Sequence, residues 1–312
     1  MNGHRRGAVP VFRRERRTDA GRSGPGPAAG RSRIGRRAGP RGRRAARIES
    51  GPVKDPLAVL AELPGVPEAV KEAREAVDRL YRHRVLRRRS AEVSAESALR
   101  GARASAEISG VGVPLERLRA GEVRDPVVQG ALRVSAELGG LGATWRTAPR
   151  QVLARLHALA AAGQVNEERL GRPRGEGDPV DDPLDLGEPP GPQETAARLN
   201  GLVSLVTGRT TAPALVLGAI VHAELAVLRP FGVADGVVAR AAERLTLVEF
   251  GLDPKSLAVV EIGHLGPPYR EGLRAYQTGT SQGVGRWILH CASAVVQGVR
   301  EATAVCEALQ RG

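Results

Sequence analysis

The stretch "VLRPFGVADGVVAR", residues 227–240, sets Arg229, Asp235, Gly236 and Arg240 between two apolar runs. Charge beside glycine at such a junction suits an anion. A helix N-terminus offers backbone N–H groups and the positive end of its dipole, and Arg229 adds a formal charge beside it. These four residues are the candidate ligand- or cofactor-binding set. Asp235 also has a plain structural reading: as N-cap of the following helix it accepts from a backbone N–H, which leaves little carboxylate for a metal. His222 stands seven positions before Arg229, about two turns along the same face, which would place it to act as a base. Packing or hydrogen bonding in the core is its plainer role.

No Ser-His-Asp order, Walker loop or zinc spacing occurs elsewhere, so no residue is assigned a catalytic role and none a metal. Cys291 and Cys306 lie fifteen residues apart on what reads as one helix, about 22 Å along its axis, too far to pair within it. Buried thiols in a reducing cytosol are expected. His157 and His264 show no partner in the sequence, while Trp145 and Tyr269 read as packing anchors.

The elements that must position this junction read as helices. Val70, Ala73, Ala76, Val77, Leu80 and Tyr81 fall on one stripe of a long helix, and a second helix runs through "SAEVSAESALRGARASAEI". Asp125 and Pro126 supply a cap and first-turn proline for a third, and "PRQVLARLHALAAAG" repeats the pattern. Residues 171–192 hold six prolines, five glycines and six carboxylates, which excludes a helix there. Periodicity resumes in "ETAARLNGLVSLV", in 213–228, in 236–250 and in a last helix over about 281–309, with Trp287, Leu289, Val295 and Val299 as its core candidates. Alternation of the strand type is scarce, so the fold class is all-α with a long irregular acidic loop.

The 312 residues carry a formal charge of +13, of which residues 1–50 supply a net +12 through 15 arginines, leaving a nearly neutral body. Residues 1–48 have almost nothing to bury and are expected to form a disordered Arg-rich tail. The tail reads either as an arm giving weak, non-specific nucleic-acid binding, which needs only counterion release, or as a stretch translated from a misassigned start. With aromatic content of 3%, no stacking platform for single strands is evident. Lys54, Lys71 and Lys255 are the only lysines, so arginine reflects codon supply as much as ligand choice. The apolar run 212–228 contains His222 and Glu224 and is shorter than the roughly 20 residues of a membrane span. The expectation is a cytoplasmic protein with no membrane span, residues 49–312 forming a single helical domain with an N-terminal part (49–142) and a core with the C-terminal helix (143–312).

The order of these features resembles the Fic (Fido) family, most of whose members transfer AMP from ATP to a protein hydroxyl. Its motif H-P-F-x-D/E-G-N-G-R-x-x-R falls on Arg229 through Arg240, and "VHAELAVL" resembles the A-H-x-x-F-x-x-I upstream of it, with His222, Leu225 and Leu228 in register. The family's inhibitory S/T-x-x-x-E-G/N resembles "SAEISG", where Ser105 and Gly110 match and Ser109 replaces the glutamate. "DPVVQGAL" and "RLHALAAAG" also resemble family text, and loop 171–192 falls at the flap that docks the target.

The resemblance implies an ATP–magnesium site, and the departures speak against its chemistry. Arg229 replaces the histidine base and stays protonated. Val233 replaces the metal-binding carboxylate; Asp235 and Val237 replace the phosphate-binding Asn and Arg. Only Pro230, Phe231, Gly236 and Arg240 match. The expected function is a catalytically degenerate Fic-like protein, without cofactor, that binds a protein partner or an anionic or nucleotide ligand. The alternative is a nucleotidyl- or phosphoryl-transferring enzyme of altered chemistry, using ATP and magnesium, with Arg229 stabilising phosphate and Asp235 or His222 as base.

Overall fold

The structure is a computed structural model and describes residues 55–311; the expected tail over residues 1–48 lies outside them. Twelve α-helices are found among the described residues and no strand, only an isolated bridge between Ala162 and Val165. They are α1 (Pro56–Ala61), α2 (Val66–Tyr81), α3 (Leu86–Ile108), α4 (Leu115–Arg119), α5 (Pro126–Trp145) and α6 (Pro149–Ala161), then α7 (Pro192–Thr207), α8 (Ala214–Leu228), α9 (Asp235–Glu249), α10 (Val260–Gly263), α11 (Pro267–Gln277) and α12 (Ser281–Arg311).

Every residue of α8 is buried. A helix apolar on all sides can satisfy itself only at the centre of a bundle. It packs chiefly on α9, with α7, α11 and α12 around it, while α5 bridges α3, α6 and α9. Being central, α8 must pair its own polar groups internally. Glu224 accepts from Arg198 Nε at 3.0 Å and Nη2 at 2.7 Å, and from the Tyr276 hydroxyl at 2.6 Å. Trp287 and Trp145 are fully buried anchors whose indole N–H groups donate to the Ala219 carbonyl (2.7 Å) and the Thr246 hydroxyl (3.1 Å).

The cap at Asp125 forms as its sequence predicts, accepting from Val127 N (2.9 Å) and Val128 N (3.3 Å) behind Pro126. Leu289, expected in the core, is instead exposed on α12. Two residues after Trp287 it points about 200° round the helix, so both cannot face inward. Cys291 and Cys306 are both free and buried. No helix among the described residues is long and apolar enough to cross a membrane.

Candidate functional site

Helix α8 ends at Arg229, whose left-handed backbone (φ 43°) turns the chain out of the helix. Gly232 (φ 86°) and Ala234 (φ 59°) complete a tight loop before α9. Gly232 is required twice over: a side chain at its Cβ would lie 2.5 Å from the Pro179 carbonyl, and its φ favours glycine. Loop 171–191 is pressed against this turn.

Arg174 fastens the two together. Its backbone N–H donates to the Pro230 carbonyl at 2.8 Å, its Nε to the Arg229 carbonyl at 2.9 Å, and its Nη2 reaches the Leu228 and Pro190 carbonyls and the Thr195 hydroxyl. Asp181 N–H adds a bond to the Gly232 carbonyl at 2.8 Å. Arg229 closes the other side: its guanidinium donates to the Gly187 carbonyl, reaches the Asp181 carbonyl at 3.4 Å, and pairs with Asp182 at 3.3 Å. Asp182 is itself held by the Leu186 and Gly187 N–H groups, both at 2.9 Å. The residue in the place of the motif histidine therefore works as a clamp on the acidic loop.

Asp235 corrects the sequence reading. The N-cap of α9 is Ala234, and Asp235 is the first helical residue. Its Oδ1 accepts backward from Phe231 N at 3.1 Å, so the carboxyl braces the loop and caps no helical N–H. Oδ2 has no hydrogen-bond partner, and neither does Arg229 Nε. Burial pushes the Asp235 pKa up to about 8, against the pull of the Phe231 and Gly232 N–H groups and of Arg174 and Arg229. The group is thus mostly protonated at neutral pH.

A cavity of about 290 Å³ opens beside this turn, lined by Arg229, Asp235 and Gly236 together with Val127, Leu184, Leu186 and Val237, with Asp181 and Asp182 at its edge. Three of the four residues singled out in the sequence therefore share one cavity. Arg240 lies behind it. Its guanidinium donates to the Ser105 hydroxyl (2.9 Å) and carbonyl (2.8 Å) and to the Ser109 hydroxyl (2.8 Å), so it is spent on the end of α3.

His222 is fully buried and lines no part of the cavity. Its Nδ1 donates to Glu243 Oε2 at 2.6 Å and its Nε2 accepts from the Tyr269 hydroxyl at 2.8 Å. His264 Nε2 donates to the same oxygen at 2.8 Å and its Nδ1 faces His290 Nε2 at 3.1 Å. Burial lowers the His222 pKa to about 4, with Glu243 pulling the other way; against its own burial, the adjoining His264 and His222 hold Glu243 below the usual carboxylate range. Donor atoms of His222, Glu243 and His264 lie within 4.8 Å of one another. Their closest spacings are those of hydrogen bonds, shorter than the roughly 3.3 Å that separates ligands on a tetrahedral zinc.

His157, whose partners the sequence hid, stacks on Phe231 with ring centroids 4.3 Å apart and accepts from Gly171 N at 2.9 Å. Burial lowers its pKa to about 4. Arg174 and Glu243 were missed altogether. A charged residue inside a helix otherwise buried, as Glu243 is in α9, is the signal for an internal partner, but it does not name one.

Comparison with solved structures places this arrangement. A Fic family protein from Desulfovibrio desulfuricans G20 superposes with a TM-score of 0.61 at 19% identity, over 76% of this chain and 74% of that one. Fic-1 of C. elegans (residues 134–508) gives 0.54 at 17% identity, over 76% and 71%. Searches against protein-family models and curated proteins match nothing. The chain has the Fic fold.

Proposed function

We propose that this protein is a Fic-fold binding module that does not transfer a nucleotide. The observation that carries the reading is the position of Arg229, whose guanidinium ties residues 181–187 over the turn where the resembled motif has a base. The side chains here do not fit magnesium and a polyphosphate. Val233 offers no oxygen, Asp182 is paired with Arg229, and Asp235 is protonated near neutral pH, while Asp181 and Asp182 at the edge repel a polyanion. No histidine lines the cavity to serve as base.

The second reading, an enzyme of altered chemistry, draws support only from Asp235, whose free Oδ2 and raised pKa are the attributes of an acid–base group. The two are separated by incubating the protein with ATP, Mg²⁺ and candidate protein acceptors and detecting AMP transfer by mass. The expected result is none above background, since loss of the base alone costs about 10²- to 10⁴-fold. Arg229→His by itself is expected to leave it so. Robust labelling that Asp235→Asn abolishes would establish the enzyme instead.

A further inference from the structure

Residues 79–89, "RLYRHRVLRRR", hold six arginines and no carboxylate where α2 ends and α3 begins, and none of them lines the cavity beside Arg229. Of the net +1 on residues 51–312, +6 falls on this corner, which leaves −5 elsewhere. Asp78 and Glu92 flank the run, and Glu92 is taken by Arg89, whose Nε and Nη2 donate to it at 2.8 and 2.7 Å. Arg89 Nη1 donates to the Leu309 carbonyl at 2.6 Å, which fastens the corner to the last turn of α12. Arg79, Arg82, Arg84, Arg87 and Arg88 are exposed and make no ion pair or side-chain hydrogen bond among the described residues.

Two of these work against the helix they stand on. Arg79 and Arg82 lie at the C-terminal end of α2, where the helix dipole favours a cation. Arg87 and Arg88 occupy the first turn of α3, behind an N-cap, Val85, that has no side-chain oxygen. A carboxylate is favoured there and a cation is not, so the fold gives no reason for them. Codon supply accounts for arginine over lysine, not for arginines gathered at a turn that repels them.

The corner offers charge and little else. Leu80, Val85 and Leu86 are buried, and the exposed large apolar side chains among the described residues, Val59 and Leu289, lie outside the run. A membrane-surface site normally adds apolar side chains that enter the lipid, and a protein interface a desolvated apolar centre. The phosphate backbone of a nucleic acid needs neither, because counterion release is enough. Tyr81, the only Phe, Tyr or Trp in the run, donates its hydroxyl to Asp253 and lies under Lys255, so no platform stacks an unpaired base. We infer that the α2–α3 corner is a binding surface for the phosphate backbone of a nucleic-acid duplex, held without reading its sequence. The net +12 of residues 1–50 adds a second basic element for the same polyanion, and linked elements bind more tightly than either alone.

The test uses the full chain and a labelled DNA duplex of about 20 base pairs, followed by fluorescence anisotropy between about 50 and 200 mM salt. The combined variant Arg82→Gln, Arg84→Gln, Arg87→Gln and Arg88→Gln is expected to bind at least about tenfold more weakly, and its slope of log affinity against log salt to shrink by about 3, since each phosphate contact contributes about 0.9. Arg124, Arg172, Arg209 and Arg270 are also exposed, and changing all four to glutamine removes the same charge elsewhere. That variant is expected to stay within about threefold of wild type. Lysine at the four corner positions keeps the charge and is expected to keep the affinity.

An equal loss in the two glutamine variants, or none in either, overturns the inference, because binding then follows net charge or residues outside the corner. A lysine variant as weak as the glutamine one also overturns it. The thermal midpoint of the corner variant is expected to be no lower than that of wild type, as two cations leave the start of α3, and a drop of several degrees would show that the arginines serve the fold instead. Vesicles of phosphatidylserine and phosphatidylcholine form a separate arm: binding to them that the corner variant loses, with the duplex unbound, overturns the inference in favour of a membrane surface.

Discussion

Helix α9 carries two polar clusters, one at Asp235 in its first turn and one at Glu243 about two turns on, and they are built on opposite terms. On the core side, a chain of hydrogen bonds runs from Arg240 to Tyr269, from Tyr269 to His222, and from His222 to Glu243, which His264 and then His290 reach from the other end. No fully buried side-chain nitrogen or oxygen of this network is left without a partner. On the cavity side, Arg229 and Asp235 each keep one free atom. A closed network specifies the packing of α8, α9, α11 and α12 around it, whereas an open one leaves buried polar atoms unpaired, at a cost to the fold.

Breaking the closed network gives the largest expected effect. Glu243→Ala strands the His222 and His264 N–H groups in the core, and urea titration is expected to show a loss of about 3–5 kcal/mol. Next is Arg174→Met, which removes the donors to four oxygens at the join of loop and turn. A loss of about 3 kcal/mol is expected, and recovery of more than half of it by Arg174→Lys would show that charge matters there more than the fork of donors.

Asp235 sharpens the contrast through pH. Its folded pKa is raised from 3.8 to about 8, so its contribution to stability is full below about 4 and is lost as pH rises toward 8. Thermal midpoints of wild type and Asp235→Asn, measured from pH 5 to pH 9, are expected to diverge in favour of the variant as pH increases. Parallel curves would mean that the carboxyl is ionised throughout. The smallest global effect belongs to Arg229→Met, about 1–2 kcal/mol, because its carbonyl partners lie on a partly exposed loop. Hydrogen exchange of the Leu186 and Gly187 amides is expected to quicken in that variant while α8 stays protected.

The helices were legible because each shows its period and its stops: Pro126, Pro149, Pro192 and Pro213 all stand at or next to the starts of their helices. The short α1, α4 and α10 were not, since six, five and four residues are too few to show a period, and α11 was missed because the pair Pro267 and Pro268 that opens it reads as loop. The site was half legible. Arg229, Asp235 and Gly236 were found by their place in the motif, but the role of each depends on chain distant in sequence. The clamp joins Arg229 to Asp182 across 47 positions, and nothing local to either announces the other. The cap at Asp235 failed for a local reason: the left-handed turn at Ala234 directs the carboxyl back to Phe231 N, whereas an extended residue before α9 would have left it on the helix end.

Synthesis runs from the N-terminus, so loop 171–191 is made before the turn that holds it. When Gly191 is added, the carbonyls of Leu228, Arg229, Pro230 and Gly232 do not yet exist, and neither does the guanidinium of Arg229. The loop must therefore wait, through the growth of α7 and α8, with its backbone in water. Its composition suits that interval, because six carboxylates and five prolines resist both collapse onto the nascent helices and pairing with another unfinished chain. A fragment that stops before residue 228 would carry the whole loop without the turn on which most of it is laid.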